Sequence, residues 1–431
     1  MRSTQTTTPP QAVPADQLDG LVTVLDLVRS GAATTRPELG RRSGLGRTVI
    51  TQRVQYLLDA GVLAEGALGA SSGGRAPREL RFRAESGVIL AAELGATSIS
   101  VGLTDLVGTV LDCREWPQNI ADGPGVVLAR VREMFDEMLA ARESACSVWG
   151  VGLGLPGPVE FTSGRPIAPP IMPGWDDYPV RDEFATTYGA PVWVDNEVNT
   201  MALGEFRAGA GRTDSDILYI KLGTGIGAGL ISGGHLHRGS QGCAGDIGHI
   251  VVADDSAVVC RCGKTGCLEA LAGGAALARD GAATAHEGTS PLLAEQLERA
   301  GSIHGTDVTR AAHHGDRSAV ELLTRAGRYV GNVLATLVSF YNPSLVLIGG
   351  GVADAGDLLL ATIRERIYRD SLPLATRELR IERSMLNDKA GVTGAAFMVI
   401  DELFSRARLA HWLATGSPAG MPELSCDSRA T

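Results

Sequence analysis

Twice along this chain an apolar run breaks at a Leu-Gly turn and resumes as a second apolar run: GVILAAELGATSISVGL from Gly87 and DILYIKLGTGIGAGLIS from Asp216. A repeat of this kind constrains the fold more than composition does. It predicts two related α/β lobes facing a cleft. The flanking patterns agree. After the first unit come a strand (TVLD), an amphipathic helix with Val127, Val131 and Phe135 in its stripe, and the strands VWGVGLGLPGPV and APVWVDNE, the latter leading into a helix at about Val198 to Arg207. After the second come a long helix from Val320 to Tyr341, stopped by Asn342-Pro343, then the strand SLVLIGGG, a glycine-rich turn from Gly349 and a last helix, GVTGAAFMVIDELF. A chain of 431 residues is long enough for two or three domains.

GTGIGAG (Gly223 to Gly229) has the look of a dinucleotide fingerprint, but such a loop must open a helix whose N-terminus meets the pyrophosphate. An apolar strand, AGLIS, follows instead. The expectation is a hairpin loop, either a plain turn or one whose backbone N–H groups around Gly223, Thr224, Gly225 and Gly227 cradle a phosphate.

Charge divides the chain. Residues 1–90 carry 11 Arg against 8 acids, net +3, and the rest carries 28 basic against 41 acidic residues, net −13. Only the N-terminal part suits a polyanion. There Leu18, Leu21, Val22, Leu25 and Val28 recur at helical spacing, Thr35-Arg-Pro-Glu38 is a capping box opening a second helix to about Ser43, and Gly44-Leu45-Gly46 makes a tight turn. Beyond it Ile50, Val54, Leu57 and Leu58 form one stripe, ended by Gly61. This is a helix-turn-helix pattern. Arg47, Thr48, Thr51, Gln52 and Gln55 stand where a recognition helix presents side chains to base edges, and Arg41, Arg42 and Arg53 suit phosphates. Two short strands around a Gly and Ser loop carrying Arg75 and Arg78 read as a wing able to enter a minor groove. The alternatives are a winged helix used for protein contacts and a merely solvated Arg-rich face.

Cys260-x-Cys262-Gly-x-x-Gly-Cys267 supplies three thiolates with glycines at the turns, and His249 lies eleven residues upstream. Three soft sulfurs and an imidazole with no place left for water suit a structural Zn²⁺. Asp246 is an alternative fourth ligand, and three free cysteines beside a core histidine is the plain alternative. Seven cysteines, an odd number, argue against a disulfide framework. With no run of about 18 apolar residues and no apolar segment in MRSTQTTTPPQAVP, neither a membrane span nor a secretory signal is expected. The expected location is the cytoplasm, on the nucleoid when DNA is bound.

With these motifs in hand the chain resembles the ROK family of repressors and sugar kinases, and most of all its regulator branch. The resemblance covers about residues 18 to 405 and rests on GLGLPGPV (152–159), VDNEVNTMALGE (194–205), IKLGTGIGAGL (220–230), GDIGH (245–249) and CRCGKTGCLE (260–269). It implies a winged helix-turn-helix followed by two actin-like, hexokinase-like (ribonuclease H-like) α/β lobes with a sugar in the cleft. Asn196, Glu197, Asp246, His249 and Glu269 are then the ligand-binding positions, and His249, Cys260, Cys262 and Cys267 the zinc ligands. His249 would serve both, one ring nitrogen on the metal and the other toward the sugar. The implied division is a leader over 1–15, the DNA-binding domain over 16–85, a first lobe over 86–205 and 388–408, a second lobe with the zinc site over 206–387, and a flexible tail over 409–431.

The departures from the kinase pattern are informative. Where that pattern has N-D-x-N with Asp as general base, this chain has Asn196-Glu197, and a carboxylate moved by roughly 1 Å can cost on the order of a hundredfold in rate. Its first phosphate loop, Glu93-Leu-Gly95-Ala96-Thr97, lacks both the Asp and the second Gly of D-x-G-G-T, and Asp246 replaces the Glu of E-x-G-H. The expected function is a sugar-responsive, DNA-binding transcriptional regulator, a homodimer or homotetramer acting as a repressor on operator DNA, with catalysis lost. The alternatives are an ATP-dependent sugar kinase using Glu197 as base, and a regulator answering to a protein partner or a non-sugar effector.

Overall fold

Thr35 explains how the N-terminal head begins. Its hydroxyl accepts from the Glu38 N–H, and the Glu38 carboxylate accepts from the backbone N–H groups of Thr34 and Thr35. This reciprocal cap starts α2 (Arg36–Ser43), which follows α1 (Ala15–Arg29) and precedes α3 (Arg47–Asp59). Gly44, at φ +71°, closes α2 and turns the chain into α3. Ile50, Val54 and Leu57 of α3 are buried against Leu21, Leu25 and Leu39. β1 (Leu63–Leu68) and β2 (Arg78–Phe82) then pair antiparallel as the wing. The computed structural model describes residues 15–68, 78–142, 146–353 and 356–426. The expected wing tip, with Arg75, lies outside the described residues.

The first lobe is built on β3 (Val88–Leu94), β4 (Ser98–Thr104), β5 (Val110–Pro117), β6 (Val148–Leu155) and β9 (Val192–Asn196); between the last two, β7 (Val159–Glu160) and β8 (Arg165–Pro166) make a small hairpin. Its order is β5-β4-β3-β6-β9, with β3 antiparallel to β4 and parallel to β6. The second lobe uses β10 (Ile217–Leu222), β11 (Ile226–Ser232), β12 (His235–Leu236), β13 (Leu345–Gly349) and β14 (Arg380–Arg383) in the order β12-β11-β10-β13-β14. Again the first strand is antiparallel to the second and parallel to the fourth. The two sheets therefore share one topology, the structural form of the repeated Leu-Gly turn.

Helices cover both sheets. α4 (Pro124–Ala140) and α5 (Val180–Tyr188) close the outer face of the first. α6 (Glu197–Ala208) leads from the first lobe toward the second. α7 (Leu268–Ala272), α8 (Gly274–His286), α9 (Pro291–Ala300), α10 (Gly305–His313), α11 (Arg317–Tyr341), α12 (Asp357–Asp370) and α13 (Pro373–Thr376) belong to the second lobe. α14 (Ala390–Leu403) returns to β3 and β6 of the first and crosses α6 closely. A Cβ on Gly204 would stand 2.1 Å from the Ala390 carbonyl oxygen, and one on Gly394 1.6 Å from that of Thr200, so glycine is what lets these helices touch. Among the described residues no helix is long and apolar enough to cross a membrane.

The structure corrects the expectation of a flexible tail from 409. α15 (Arg406–Trp412) and the segment to Cys426 pack onto the first lobe and the head. Trp412 is fully buried, its indole N–H donating to the Leu403 carbonyl, and Leu413 and Leu424 are buried with it. Phe82 of the wing, Trp149 of β6, Phe404 and Trp412 form one aromatic cluster, with ring centroids 5.2 to 6.5 Å apart. Arg406 also pairs with Asp19 of α1. Head and first lobe thus share a continuous core. Leu409, Trp412 and Leu413 stand at helical spacing, but the partners they bury against emerge only where three elements meet.

Candidate functional site

The Gly-Asp-Ile-Gly-His stretch ends in a single turn (Ile247–His249) that points the His249 ring toward the cysteine loop. That loop is folded back on itself by short backbone pairings, Val251 with Cys267 and Val259 with Thr265. Cys260 and Lys264 close a tight turn. Gly266, at φ +69°, passes so close to Ala253 that a Cβ would sit 2.0 Å from its carbonyl oxygen. The result brings four ligand atoms, from His249, Cys260, Cys262 and Cys267, within 4.8 Å of one another.

Cys262 Sγ and Cys267 Sγ are 3.7 Å apart, and Cys260 Sγ is 3.5 Å from His249 Nδ1. A tetrahedral ion with bonds of about 2.3 Å to sulfur and about 2.0 Å to nitrogen has ligand edges of roughly 3.8 and 3.5 Å. These two separations match such edges, and the four groups lie close enough together to hold one metal ion. Burial, then the neighbouring thiols, pushes the Cys267 thiol up to about 12, so a thiolate there requires a cation beside it. Asp246 is not part of this group. Its carboxylate is 4.0 Å from His249 Nε2, on the other side of the ring, and is half exposed.

That other side faces a cleft of about 940 Å³ between the lobes. Asn196, Glu197, Asp246, His249 and Glu269, the five expected ligand-binding positions, all line it, as do Thr224, Gly225 and Gly227 of the hairpin loop. Gly223 lies beneath that loop, its carbonyl taken by the Gly274 N–H. GTGIGAG is a strand-to-strand hairpin, with Leu222 facing Ile226 across the turn.

Three of the five are already engaged. The Asn196 side-chain oxygen caps α6 by accepting from the Val198 and Asn199 N–H groups, while its amide donates to the Gly157 carbonyl. The Glu269 carboxylate accepts from the Ile226 N–H and so fixes the hairpin. Glu197 Oε2 lies 2.6 Å from Lys221 Nζ. Asp246 and the outer nitrogen of His249 keep capacity for a ligand hydroxyl.

Lys221 and Arg238 escaped the sequence reading. Burial works to lower the Lys221 ammonium, and Glu197 and Glu93 outweigh it, holding it above the usual lysine value. Glu93 is buried at the end of β3, and that burial pushes its carboxyl up to about 8. Arg238 reaches from the second lobe to Asp195 at 2.6 Å, over the ring of Phe161 at 3.8 Å. A lone lysine in the apolar run ILYIKL was a signal, because a charge in a buried strand needs a partner.

On the head, Arg41, Arg42, Arg47, Thr48, Thr51, Gln52 and Gln55 are exposed. They share the α2–α3 face away from the buried stripe. Arg53 Nη1 donates to Gln17 Oε1 of α1 at 2.7 Å, which braces α3 against α1. Arg78 is exposed and paired with Glu65 at 3.1 Å.

Comparison with known proteins matches residues 89–402 to the ROK family. A glucokinase of Halalkalibacterium halodurans is 34% identical over 308 residues, 71% of this chain and 93% of that protein. A putative xylose repressor of Caldicellulosiruptor sp. is 30% identical over 390 residues, 89% of this chain and 95% of that protein. The crystal structure of a ROK family transcriptional regulator, a homologue of the E. coli MLC protein, superposes with a TM-score of 0.79 at 27% identity, covering 93% of this chain and all of that one. The kinase likeness is about as long as the family match over residues 89–402. The repressor likeness takes in a larger share than everything from residue 89 onward, so it includes part of the head. By its duplicated sheets, its cysteine loop and the match across both lobes, this chain belongs to the ROK family.

Proposed function

We propose that the protein is a sugar-responsive, DNA-binding transcriptional regulator, a repressor by its likeness to the xylose repressors. One observation carries the reading: a basic winged helix-turn-helix shares its core with the first of two lobes whose cleft is lined by groups suited to hydroxyls. Arg47, Thr48, Thr51 and Gln52 read base edges, Arg41 and Arg42 hold phosphates, and Arg75 and Arg78 serve the wing. Glu197, Asp246 and His249 receive the sugar, with Asn196 and Glu269 holding the walls. Structural Zn²⁺ on His249, Cys260, Cys262 and Cys267 fixes the ring so that one nitrogen faces the cleft.

A sugar that prefers one lobe arrangement shifts the equilibrium only by its difference in affinity for the two. The path to the head runs from Asn196 and Glu197 at the start of α6, through the α6–α14 crossing, to the aromatic cluster that seats the wing. Paired heads on a pseudo-palindromic operator imply a homodimer or a homotetramer. Binding-site selection on random DNA, with and without a monosaccharide panel that puts xylose first, tests this. A selected site whose occupancy no sugar changes overturns the sugar-response reading.

The glucokinase likeness favours a second reading, phosphoryl transfer with Glu197 as base. Lys221 counts against it, since a base held by an ammonium is not free to take a proton. In a coupled assay with hexoses and ATP, turnover abolished by Glu197→Gln would establish the kinase.

A further inference from the structure

Lys221 sits in β10 among residues that are otherwise buried, Ile217 to Ile220 and Leu222. Its ammonium meets Glu197 at the start of α6 and acts electrostatically on Glu93 at the end of β3. Three elements, two from the first lobe and one from the second, thus converge on one cation at the floor of the cleft. Lys221 and Glu197 line that floor beside Thr224 and Gly225 of the hairpin. Remove the ammonium, and the Glu197 carboxylate stands beside a loop of backbone N–H groups. Hard divalent cations are held in this way, by one or two carboxylates together with a substrate's phosphates. With Lys221 in place the floor already carries its cation, tethered to the chain, and a second one entering beside it meets like charge.

We propose that Lys221 is a specificity-determining residue of the cleft: its ammonium, paired with Glu197, takes the place of a divalent cation, so the cleft admits a polyhydroxyl ligand that brings no metal and excludes a metal–nucleotide. This deepens the sugar-sensor reading and rests on it. It also bears on the effector, which must be a ligand that brings no divalent cation with it, as a free sugar does.

The test uses the full-length, zinc-loaded protein and Mn²⁺ as probe, with free Mn²⁺ read by electron paramagnetic resonance, with and without ATP. Wild type is expected to show no saturable Mn²⁺ or Mn²⁺–ATP binding. Lys221→Met, of similar length and uncharged, is expected to bind Mn²⁺ at least about tenfold more tightly than wild type, as one Mn²⁺ per chain. The double variant Lys221→Met with Glu197→Gln should lose that gain. Lys221→Arg, which keeps the positive charge, should exclude Mn²⁺ as wild type does. Saturable Mn²⁺–ATP binding by wild type overturns the proposal, and that measurement needs no variant to fold. So does a Lys221→Met protein with full zinc content and intact DNA binding that gains no Mn²⁺. Sugar binding by wild type is followed separately by thermal shift. Its absence overturns the sensor reading while the Mn²⁺ measurements still report on Lys221.

Discussion

Replacing Trp412 by alanine tests whether the C-terminal segment joins head to body. The side chain is fully buried, its ring is 5.2 Å from that of Trp149 and 5.5 Å from that of Phe404, and its N–H is bonded to Leu403. Truncating a buried tryptophan costs about 3–5 kcal/mol, a figure that includes the cavity left behind. At about 2–4 °C per kcal/mol for a unit of 150–250 residues, the melting temperature should fall by about 6–20 °C. Calorimetry reads this directly, and Trp412→Phe, which keeps a ring, should lose less. Because Phe82 of the wing belongs to the same cluster, the alanine variant should also blunt the effect of sugar on DNA affinity, measured by fluorescence anisotropy. A shift of no more than about 2 °C, the size expected of a surface substitution, would refute the clasp.

On a selected operator, Arg47→Ala or Gln52→Ala should cost about 1–3 kcal/mol and relax sequence choice, whereas Arg42→Ala should weaken all sites alike and reduce the salt slope by about 1. Arg53→Ala should leave that slope unchanged and lower the melting temperature, because Arg53 is bonded to α1; a reduced slope would restore it to the DNA face. Cys262→Ser should release zinc to a colorimetric chelator at concentrations where wild type retains it, and equal retention would remove Cys262 from the ligand set. Burial raises Glu93 from 4.5 to about 8, against the pull of Lys221 and with the push of Glu197 and Asp388, so the folded protein holds a proton that the unfolded chain has released. The stabilisation linked to this proton is full below the unfolded value and is lost as pH rises toward 8. Glu93→Gln should flatten that decline, and an unchanged slope in urea titrations across the window would contradict the assignment.

Local chemistry made much of the molecule legible. The capping box at Thr35, the tight turn at Gly44 and the stripe Ile50, Val54 and Leu57 each act within a few residues, so the head could be read before it was seen. The cysteine loop was legible for a related reason: its turn glycines and sulfurs lie together in sequence, and only His249 had to be brought in from outside. For Arg53, helical spacing says which side of α3 it occupies but not that Gln17 waits there. The C-terminal segment was misread because burial of Trp412 and Leu424 depends on Trp149 and Phe82, far off in the chain.

Lys221 lies at the far end of this scale. Its partners sit at 93 and 197, at the end of β3 and the start of α6, and only the order of the strands brings them to β10. A buried ammonium without them would be strongly destabilising, so the lone lysine in ILYIKL predicts that an acid exists but not which one. The duplicated topology supplies the answer. Each sheet ends its first strand toward the cleft, β3 at Leu94 and β10 at Leu222, so the acid one residue before the first turn and the lysine one residue before the second come within electrostatic reach of each other. The repeat that limits the fold thereby also sets the charge on the cleft floor.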